Sequence, residues 1–342
     1  MSPPPSLVVL QPWMPVAAFI ASVLGALALY DIQVALSTWL VVLAFLLTLV
    51  LAWGVIGGLV SRSRLTLPIG DTFRFRRLVT LLIVCASLLE YTLFGIPLLG
   101  DVIYVDFGLP WLHHLSVTSW LLVFTARAFD SRSLRYSTWA FALLNPVLML
   151  NRDALLLTLF SCLAASMLGG RLRGWHIAAV FGAAAAVFGI VGDIRSPLAL
   201  QVIGLPFFFD PTELPSVLVW PLVYVTSSAF NMLYNFDSLR LELYSDLINV
   251  FPEAFSWAVW SNTYAAIPVF YVVIVSLLLT LRRLASTRPA LVPLYVYFLY
   301  QAYMSLFAIK FFTTNSLFVC ILVFAMAFHL PAVTRRARVS VA

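Results

Sequence analysis

The chain alternates between long apolar runs and short polar joints. Most runs approach the roughly 20 apolar residues that a helix needs to cross a bilayer. They are unbroken, whereas the strands of a membrane barrel alternate apolar and polar residues over about ten positions. We therefore predict an all-α, polytopic integral membrane protein with about ten transmembrane helices. The predicted spans are 7–29, 34–60, 78–99, 111–128, 136–150, 153–169, 175–191, 262–281, 289–309 and 312–330.

Basic residues lie in every second joint. Because Lys and Arg concentrate on the cytoplasmic side of membrane proteins, this alternation predicts that both termini are cytoplasmic. The basic joints are 61–77, 127–135, 171–173, 282–288 and the tail after 330.

One segment, 192–261, is predicted to lie on the outer side, between spans seven and eight. It contains a further apolar stretch, 217–236, but counting that stretch as a span would move 282–288 and the basic tail to the outer face. We therefore predict that 217–236 is a re-entrant or interfacial helix. The whole chain, 1–342, is predicted to form a single transmembrane domain.

Composition excludes a soluble protein. The chain is 63% hydrophobic and 10% charged, and its mean hydropathy is +1.02, whereas soluble domains carry roughly 25% charged residues. The net charge of +6 does not indicate nucleic acid, because the cations are distributed among the joints. The three cysteines have no metal-ligand spacing, and soluble-enzyme motifs are missing, so we expect neither a metal nor a cofactor.

Four cations remain on the predicted outer side: Arg152, Arg195, Arg240 and Lys310. An Arg on that side opposes the topological bias and should have a partner or a purpose. Arg152 either pairs with the adjacent Asp153 or takes part in chemistry. Because a guanidinium binds phosphate oxygens with two parallel hydrogen bonds, the three Arg residues are candidates for a diphosphate clamp.

Polar side chains recur at helical spacing within 217–236. They either line a groove for a sugar or pack helices together, as small and polar residues do in membranes. The stripe comprises Tyr224, Ser227, Ser228, Asn231, Tyr234 and Asn235.

Two further features carry titratable groups. His113 and His114 open the fourth predicted span, but neighbouring helical side chains point apart, so we do not expect them to share a metal. Glu90 lies inside the third span, where an ionisable group is either a structural hydrogen-bonding residue or part of a site.

The sequence resembles the bacterial O-antigen polymerases, the Wzy-type oligosaccharide repeat unit polymerases, over about 78–330. The resemblance rests on size, on the number of spans and on three local features. These are Gly95-Ile96-Pro97-Leu98-Leu99 followed by Gly108-Leu109-Pro110-Trp111-Leu112-His113-His114-Leu115, then Tyr224-Val225-Thr226-Ser227-Ser228-Ala229-Phe230-Asn231-Met232-Leu233-Tyr234-Asn235, and finally Asn262-Thr263-Tyr264.

The resemblance implies a GT-C-like, metal-independent glycosyltransferase of the bacterial inner membrane with its active site on the periplasmic side. Such an enzyme moves the growing glycan from undecaprenyl diphosphate to a new undecaprenyl-diphosphate-linked repeat unit. Its implied partners are these donor and acceptor lipids, membrane lipids and a chain-length regulator protein.

That reaction suggests roles for the candidate residues. Cations would stabilise the diphosphate leaving group, for which we name Arg152, Arg195 and Arg240 as catalytic and Lys310 as a weaker candidate. A base would accept the hydroxyl proton. We favour Glu253 for this role over Asp193, Asp210 and His114. Residues that would bind the sugar are Tyr224, Asn231 and Tyr234.

Three alternatives remain open at this stage. An O-antigen ligase would attach finished polymer to a lipid core. A transporter or flippase would use the helices and the intramembrane Glu90, although transporters often show duplicated halves, which this sequence lacks. A structural membrane partner would have no chemistry of its own.

Overall fold

The computed structural model describes residues 9–33, 73–100, 106–169, 174–195, 204–243, 251–307 and 313–328, with the single residues 36, 39, 42, 43, 46, 65 and 311. Within these ranges the regular secondary structure is helical. The described residues include no strand, although Tyr30 and Phe207 form a single antiparallel bridge. The prediction of an all-α fold is therefore confirmed. Most of the predicted span 34–60 lies outside the described residues.

Most predicted spans correspond to helices of the structure. The run 111–128 is divided into short α and 3-10 elements that follow one another without a break, among them the 3-10 turns Val117–Leu121 and Ala126–Ala128. The α-helices of the described chain are α1 Met14–Leu29, α2 Phe73–Phe94, α3 Pro110–Ser116, α4 Leu122–Thr125, α5 Arg132–Leu148, α6 Arg152–Leu168, α7 Gly174–Arg195, α8 Ser216–Asn235, α9 Glu253–Ser261, α10 Ala266–Thr287, α11 Val292–Met304 and α12 Thr314–Phe328.

Three helical stretches of the described chain are long and apolar enough to cross a membrane: Arg76–Leu99, Ser216–Ser238 and Ala266–Thr287. The helices α1 and α12 are apolar but shorter. These stretches support a membrane protein, while the count of ten spans and its topology stay predictions. Ser216–Ser238 contains the stretch that charge parity predicts not to cross, and its 23 residues are enough to do so.

The two faces of α2 differ in a way that suits lipid. Val79, Ile83 and Ala86 are buried at helical spacing and pack against the protein. The opposite face is exposed and consists of Leu78, Leu81, Leu82, Leu88, Leu89 and Leu93. A continuous leucine surface of this kind is rare in water-soluble monomers but costs nothing in hydrocarbon.

The chain divides into two compact units. The first contains the described residues of 1–63, 171–281 and 297–313. The second contains those of 64–170, 282–296 and 314–342.

In the first unit, α8 packs closely against α7 and α1. A Cβ added at Gly189 would lie 2.7 Å from the carbonyl oxygen of Val217, and one at Gly192 would lie 2.9 Å from the ring of Trp220. Glycine therefore permits the close approach of α7 to α8, as small residues do between membrane helices. Ser22 of α1 donates a hydrogen bond of 2.6 Å to the carbonyl oxygen of Val225.

In the second unit, one end is basic. Arg77, near the start of α2, pairs with Asp130 at 3.0 Å, and Arg135, near the start of α5, donates to the carbonyl oxygen of Asp130. The helices α2 and α5 therefore begin at the same end, which we call the basic end. Because α6 follows α5 after the turn at Met149 and Leu150, Arg152 lies at the opposite end, which we call the Arg152 end.

Candidate functional site

A buried carboxylate and an imidazole meet within the second unit. Glu90 of α2 is fully buried, and its Oε1 accepts a 3.1 Å hydrogen bond from the backbone N–H of Leu109. Its Oε2 lies 3.5 Å from Nδ1 of His113 in α3. The sequence did not decide whether Glu90 is a structural group or part of a site. In the structure its carboxylate lies near a titratable side chain, that of His113.

Gly108 lets the loop before α3 close over this pair. Its φ is +99°, and an added Cβ would lie 2.6 Å from His113 Nδ1 and 2.8 Å from Glu90 Oε1. The ring of Phe107 then packs edge-on to the His113 imidazole, with centroids 5.8 Å apart. The imidazole is thus held on one side by a carboxylate and on another by an aromatic ring.

A second polar contact fixes the helices around the pair. The hydroxyl of Tyr91 donates to Oδ1 of Asn145 at 2.8 Å, and Nδ2 of Asn145 donates to the carbonyl oxygen of Ser116 at 3.0 Å. Asn145 lies near the end of α5, so these bonds tie α2, α3 and α5 together close to the Arg152 end.

Arg152 is the first residue of α6 and is half-buried. Asn151 caps this helix by accepting a 3.0 Å hydrogen bond from the N–H of Ala154. The chain turns just before Asn151, where Leu150 takes a positive φ of 52°. The positive end of the α6 dipole and the guanidinium lie together, which is an arrangement that attracts an anion.

His114 lies apart from the carboxylate. Its ring packs against Trp111 and Phe318, with centroids 6.4 and 6.2 Å away. The two adjacent histidines thus differ in environment, as the helical geometry of neighbouring residues predicts. Sequence reasoning chose His114 as a base candidate, whereas His113 is the one with an acidic neighbour.

In the first unit, Arg240 lies on the non-helical segment 239–243, which follows α8 and the 3-10 turn Phe236–Ser238 and which we call the strap. It is exposed and pairs with Glu242 at 3.2 Å. Asn235, at the end of α8, holds this strap through the backbone of Glu242. Leu239 adopts a positive φ of 48° where the chain turns into the strap.

Glu253, the expected base, is fully buried at the start of α9. Its backbone N–H donates a hydrogen bond of 2.8 Å to the carbonyl oxygen of Ser305. A carboxylate with no exposed surface in this conformation cannot receive a proton from a substrate hydroxyl. This placement does not favour the base role for Glu253.

The polar stripe of α8 faces mainly inward. Asn231, Ser227, Ser228 and Asn235 are buried, and Ser228 hydrogen-bonds the carbonyl oxygen of Leu306. Tyr224 is half-buried and stacks on Phe307 at 4.5 Å. Of the three proposed sugar contacts, Tyr234 alone is well exposed, at 53%. This burial favours helix packing as the main role of the stripe.

The remaining candidates lie in several environments. Asp193 accepts a 3.1 Å hydrogen bond from Ser216 at the junction of α7 and α8, and Asp210 is exposed. Arg195 ends α7, but its side chain is outside the described part of the structure, and so is Lys310. Arg195 and Arg240 belong to the first unit and Arg152 to the second, so neither unit by itself holds all three Arg residues.

Tyr264 belongs to the turn between α9 and α10. Its ring stacks on Phe236 with centroids 4.3 Å apart. Its phenolic hydroxyl can donate a hydrogen bond.

Comparisons of the chain with protein-family models, with curated proteins and with solved structures found no match.

Proposed function

We propose that this protein polymerises lipid-linked oligosaccharide repeat units of a bacterial surface polysaccharide. It would transfer the growing glycan from undecaprenyl diphosphate to a new undecaprenyl-diphosphate-linked unit, on the periplasmic side of the inner membrane. The proposal starts from the resemblance to O-antigen polymerases given above. The observation that carries it is the Arg152 end of the second unit, where a cation at a helix start accompanies a buried carboxylate–imidazole pair.

The position of Arg152 suits a diphosphate leaving group. A cation in the first turn of a helix opposes the helix dipole, which costs about 0.3–1 kcal/mol at the surface. Helix stability therefore does not explain an Arg at this position. A diphosphate would interact favourably with the guanidinium fork and with the amide groups of the first turn, and both interactions strengthen as the glycosidic bond breaks.

Arg240 and Arg195 remain the candidate cations of the first unit, with Lys310 as a further one. Of these three, Arg240 is the one whose side chain the structure describes. Its guanidinium is exposed, and Asn235 fixes the strap that carries it. A partner such as Glu242 at 3.2 Å on the surface contributes little stability, so it could exchange for a phosphate oxygen.

The first unit also offers an apolar pocket for the isoprenoid chain. Its wall is formed by Phe19 and Val23 of α1, by Met232 and Phe236, and by Ile267 of α10. A prenyl tail in a bilayer already lies in hydrocarbon, so packing against such a surface, and not transfer from water, would hold it. We therefore propose that part of the undecaprenyl tail packs on this apolar surface.

The experiment is a gene deletion in the source organism, followed by electrophoresis of its surface glycan. The deletion should reduce a ladder of polymer to lipid core with a single repeat, and the wild-type gene should restore the ladder. Arg152→Ala should fail to restore it at equal protein level. The matched control is Arg132→Ala, because Arg132 also opens a helix, α5, but at the basic end. An unchanged ladder in the deletion strain would refute the proposal.

A lipid-linked glycan transporter is the second candidate, since the Glu90–His113 pair lies partly within the stretch Arg76–Leu99 and intramembrane acidic and imidazole groups often relay protons. Loss of such a transporter would leave no repeat on the outer side at all. Loss of a ligase, the other alternative, would leave polymer still linked to undecaprenyl diphosphate. The same gel, with the lipid-linked fraction extracted separately, distinguishes these outcomes.

A further inference from the structure

The Glu90–His113 pair has the geometry of a base with its orienting group. The carboxylate is fully buried, whereas the imidazole side chain is 26% exposed, so the pair is reached from outside through the ring. The two atoms form no hydrogen bond at their separation of 3.5 Å, but the negative charge of the carboxylate still favours the tautomer with the proton on Nδ1. Nε2 then keeps its lone pair and can accept a proton.

The surroundings prevent the ring from turning away. Phe107 packs against the imidazole, and Gly108 closes the loop so tightly that no side chain would fit beside it. The second carboxylate oxygen is used by the N–H of Leu109, which fixes the carboxyl plane. A merely structural ion pair would not need this enclosure on one face together with an exposed ring on the other.

The charged and titratable groups near the ring come from two helices of the described chain. Glu90 and Tyr91 belong to α2, and His114 follows His113 in α3. Asn145 of α5, which ties these helices together, is neutral. Glu90 is thus the group among them that can counter a positive charge on the imidazole.

We propose that His113 is the general base of the glycosyl transfer and that Glu90 is its positioning residue. This inference rests on the proposed function. The acceptor hydroxyl oxygen forms a bond to the anomeric carbon while the bond from that carbon to the diphosphate oxygen breaks. The bonding electrons leave with the diphosphate, and the hydroxyl proton passes to Nε2 of His113. The carboxylate of Glu90 stabilises the resulting imidazolium, as in other carboxylate–imidazole bases.

The inference can be tested with membranes of the deletion strain that carry each variant, using the lipid-linked repeat units accumulated by that strain as substrate. His113→Asn retains an amide that can donate to Glu90 but has no proton acceptor at the position of Nε2. It should lower kcat by roughly 100-fold or more with KM nearly unchanged, which is the usual range for loss of a general base. His113→Ala should be equally slow and should regain turnover when imidazole is added.

Glu90→Gln should lower kcat by a smaller factor than His113→Asn. The imidazole remains, but no negative charge orients it or stabilises the imidazolium that forms. The control is Asp130→Asn, which removes a carboxylate that pairs with Arg77 at the basic end of the same unit. It should turn over like wild type. Equal amounts of each protein in the membrane, measured by immunoblot, exclude loss of folding as the cause.

The outcomes separate the two proposals. A deletion strain with an unchanged ladder refutes the polymerase itself, and with it the base. If the deletion collapses the ladder but His113→Asn turns over within a few-fold of wild type, the assignment of His113 as general base is refuted. The polymerase proposal then stands. Loss of turnover without rescue by imidazole would mean that His113 does not act by accepting the proton, and would also overturn the inference.

Discussion

Asn235 holds the backbone of Glu242 with both ends of its amide group. Its Nδ2 donates to the carbonyl oxygen of Glu242 at 2.6 Å, and its Oδ1 accepts from the N–H of the same residue at 3.2 Å. Because Asn235 is buried at the end of α8, it attaches the strap that carries Arg240 to a rigid helix. The position of an exposed cation thus depends on a buried side chain five residues earlier.

Replacing Asn235 by Ala should release the strap. The two hydrogen bonds to the strap are lost, which at about 0.5–1.5 kcal/mol each should speed hydrogen exchange of the Glu242 amide by about tenfold or more. Leu241→Ala is the control, because that side chain is exposed on the same strap. Mass spectrometry of the purified protein in detergent measures the exchange. Equal protection in both variants would mean that Asn235 does not hold the strap.

The glycines of α7 predict opposite effects of one substitution. At Gly189 an added methyl group would meet the backbone of α8 at 2.7 Å, which cannot yield without moving the helix. Gly189→Ala should therefore lower the stability of the protein by about 1–3 kcal/mol through overpacking.

Gly182 of the same helix has nothing within 4 Å of an added Cβ. Gly182→Ala should be neutral or should stabilise α7 by up to about 1 kcal/mol, because alanine loses less conformational entropy in a helix. Thermal unfolding in detergent compares the two variants. A Tm that falls equally for both would contradict the close packing of α7 on α8.

The periodicity of apolar residues predicted the helices well but not their partners. The runs 136–150 and 153–169 appear as α5 and α6 with shifts of a few residues. The helix within 217–236 was also expected. Pro221 is its sixth residue and removes one hydrogen bond of the helix, yet the helix continues past it to Asn235. Its length and the burial of its polar stripe depend on α7 and α1, which the pattern of a single helix does not reveal.

The Glu90–His113 pair shows why part of the candidate site could not be predicted. The sequence signal was an isolated carboxylate in an apolar run, which is costly in lipid and therefore requires a partner. The identity of that partner depends on the loop between α2 and α3 and on the positive φ of Gly108. Likewise, Glu253 was favoured as the base from its place in the sequence, which does not reveal that its side chain is fully buried.

The Tyr91–Asn145 contact makes a prediction about stability. Tyr91→Phe removes a donor to Oδ1 at 2.8 Å and should cost about 1 kcal/mol, somewhat less if the site is surrounded by lipid. Asn145→Leu should cost more, because it also leaves the carbonyl of Ser116 without the 3.0 Å bond from Nδ2.

The two changes should not be additive, because they share one hydrogen bond. A double-mutant cycle on Tm therefore measures the coupling of α2 to α5. Strictly additive losses would show that Tyr91 and Asn145 act independently.

Gly108→Ala should damage the candidate base more than the fold. Its Cβ would press on both His113 Nδ1 and Glu90 Oε1, in addition to the cost of a positive φ of +99°. Gly100→Ala is the matched control, because Gly100 also has a positive φ, +81°, but nothing lies within 4 Å of an added Cβ there. Both variants carry the backbone cost of about 1 kcal/mol, so the difference between them reports crowding at the pair. We expect Gly100→Ala to restore the polymer ladder to the deletion strain and Gly108→Ala to leave single repeats, at similar protein levels. Two equal ladders would show that the enclosure of the pair is not needed for turnover.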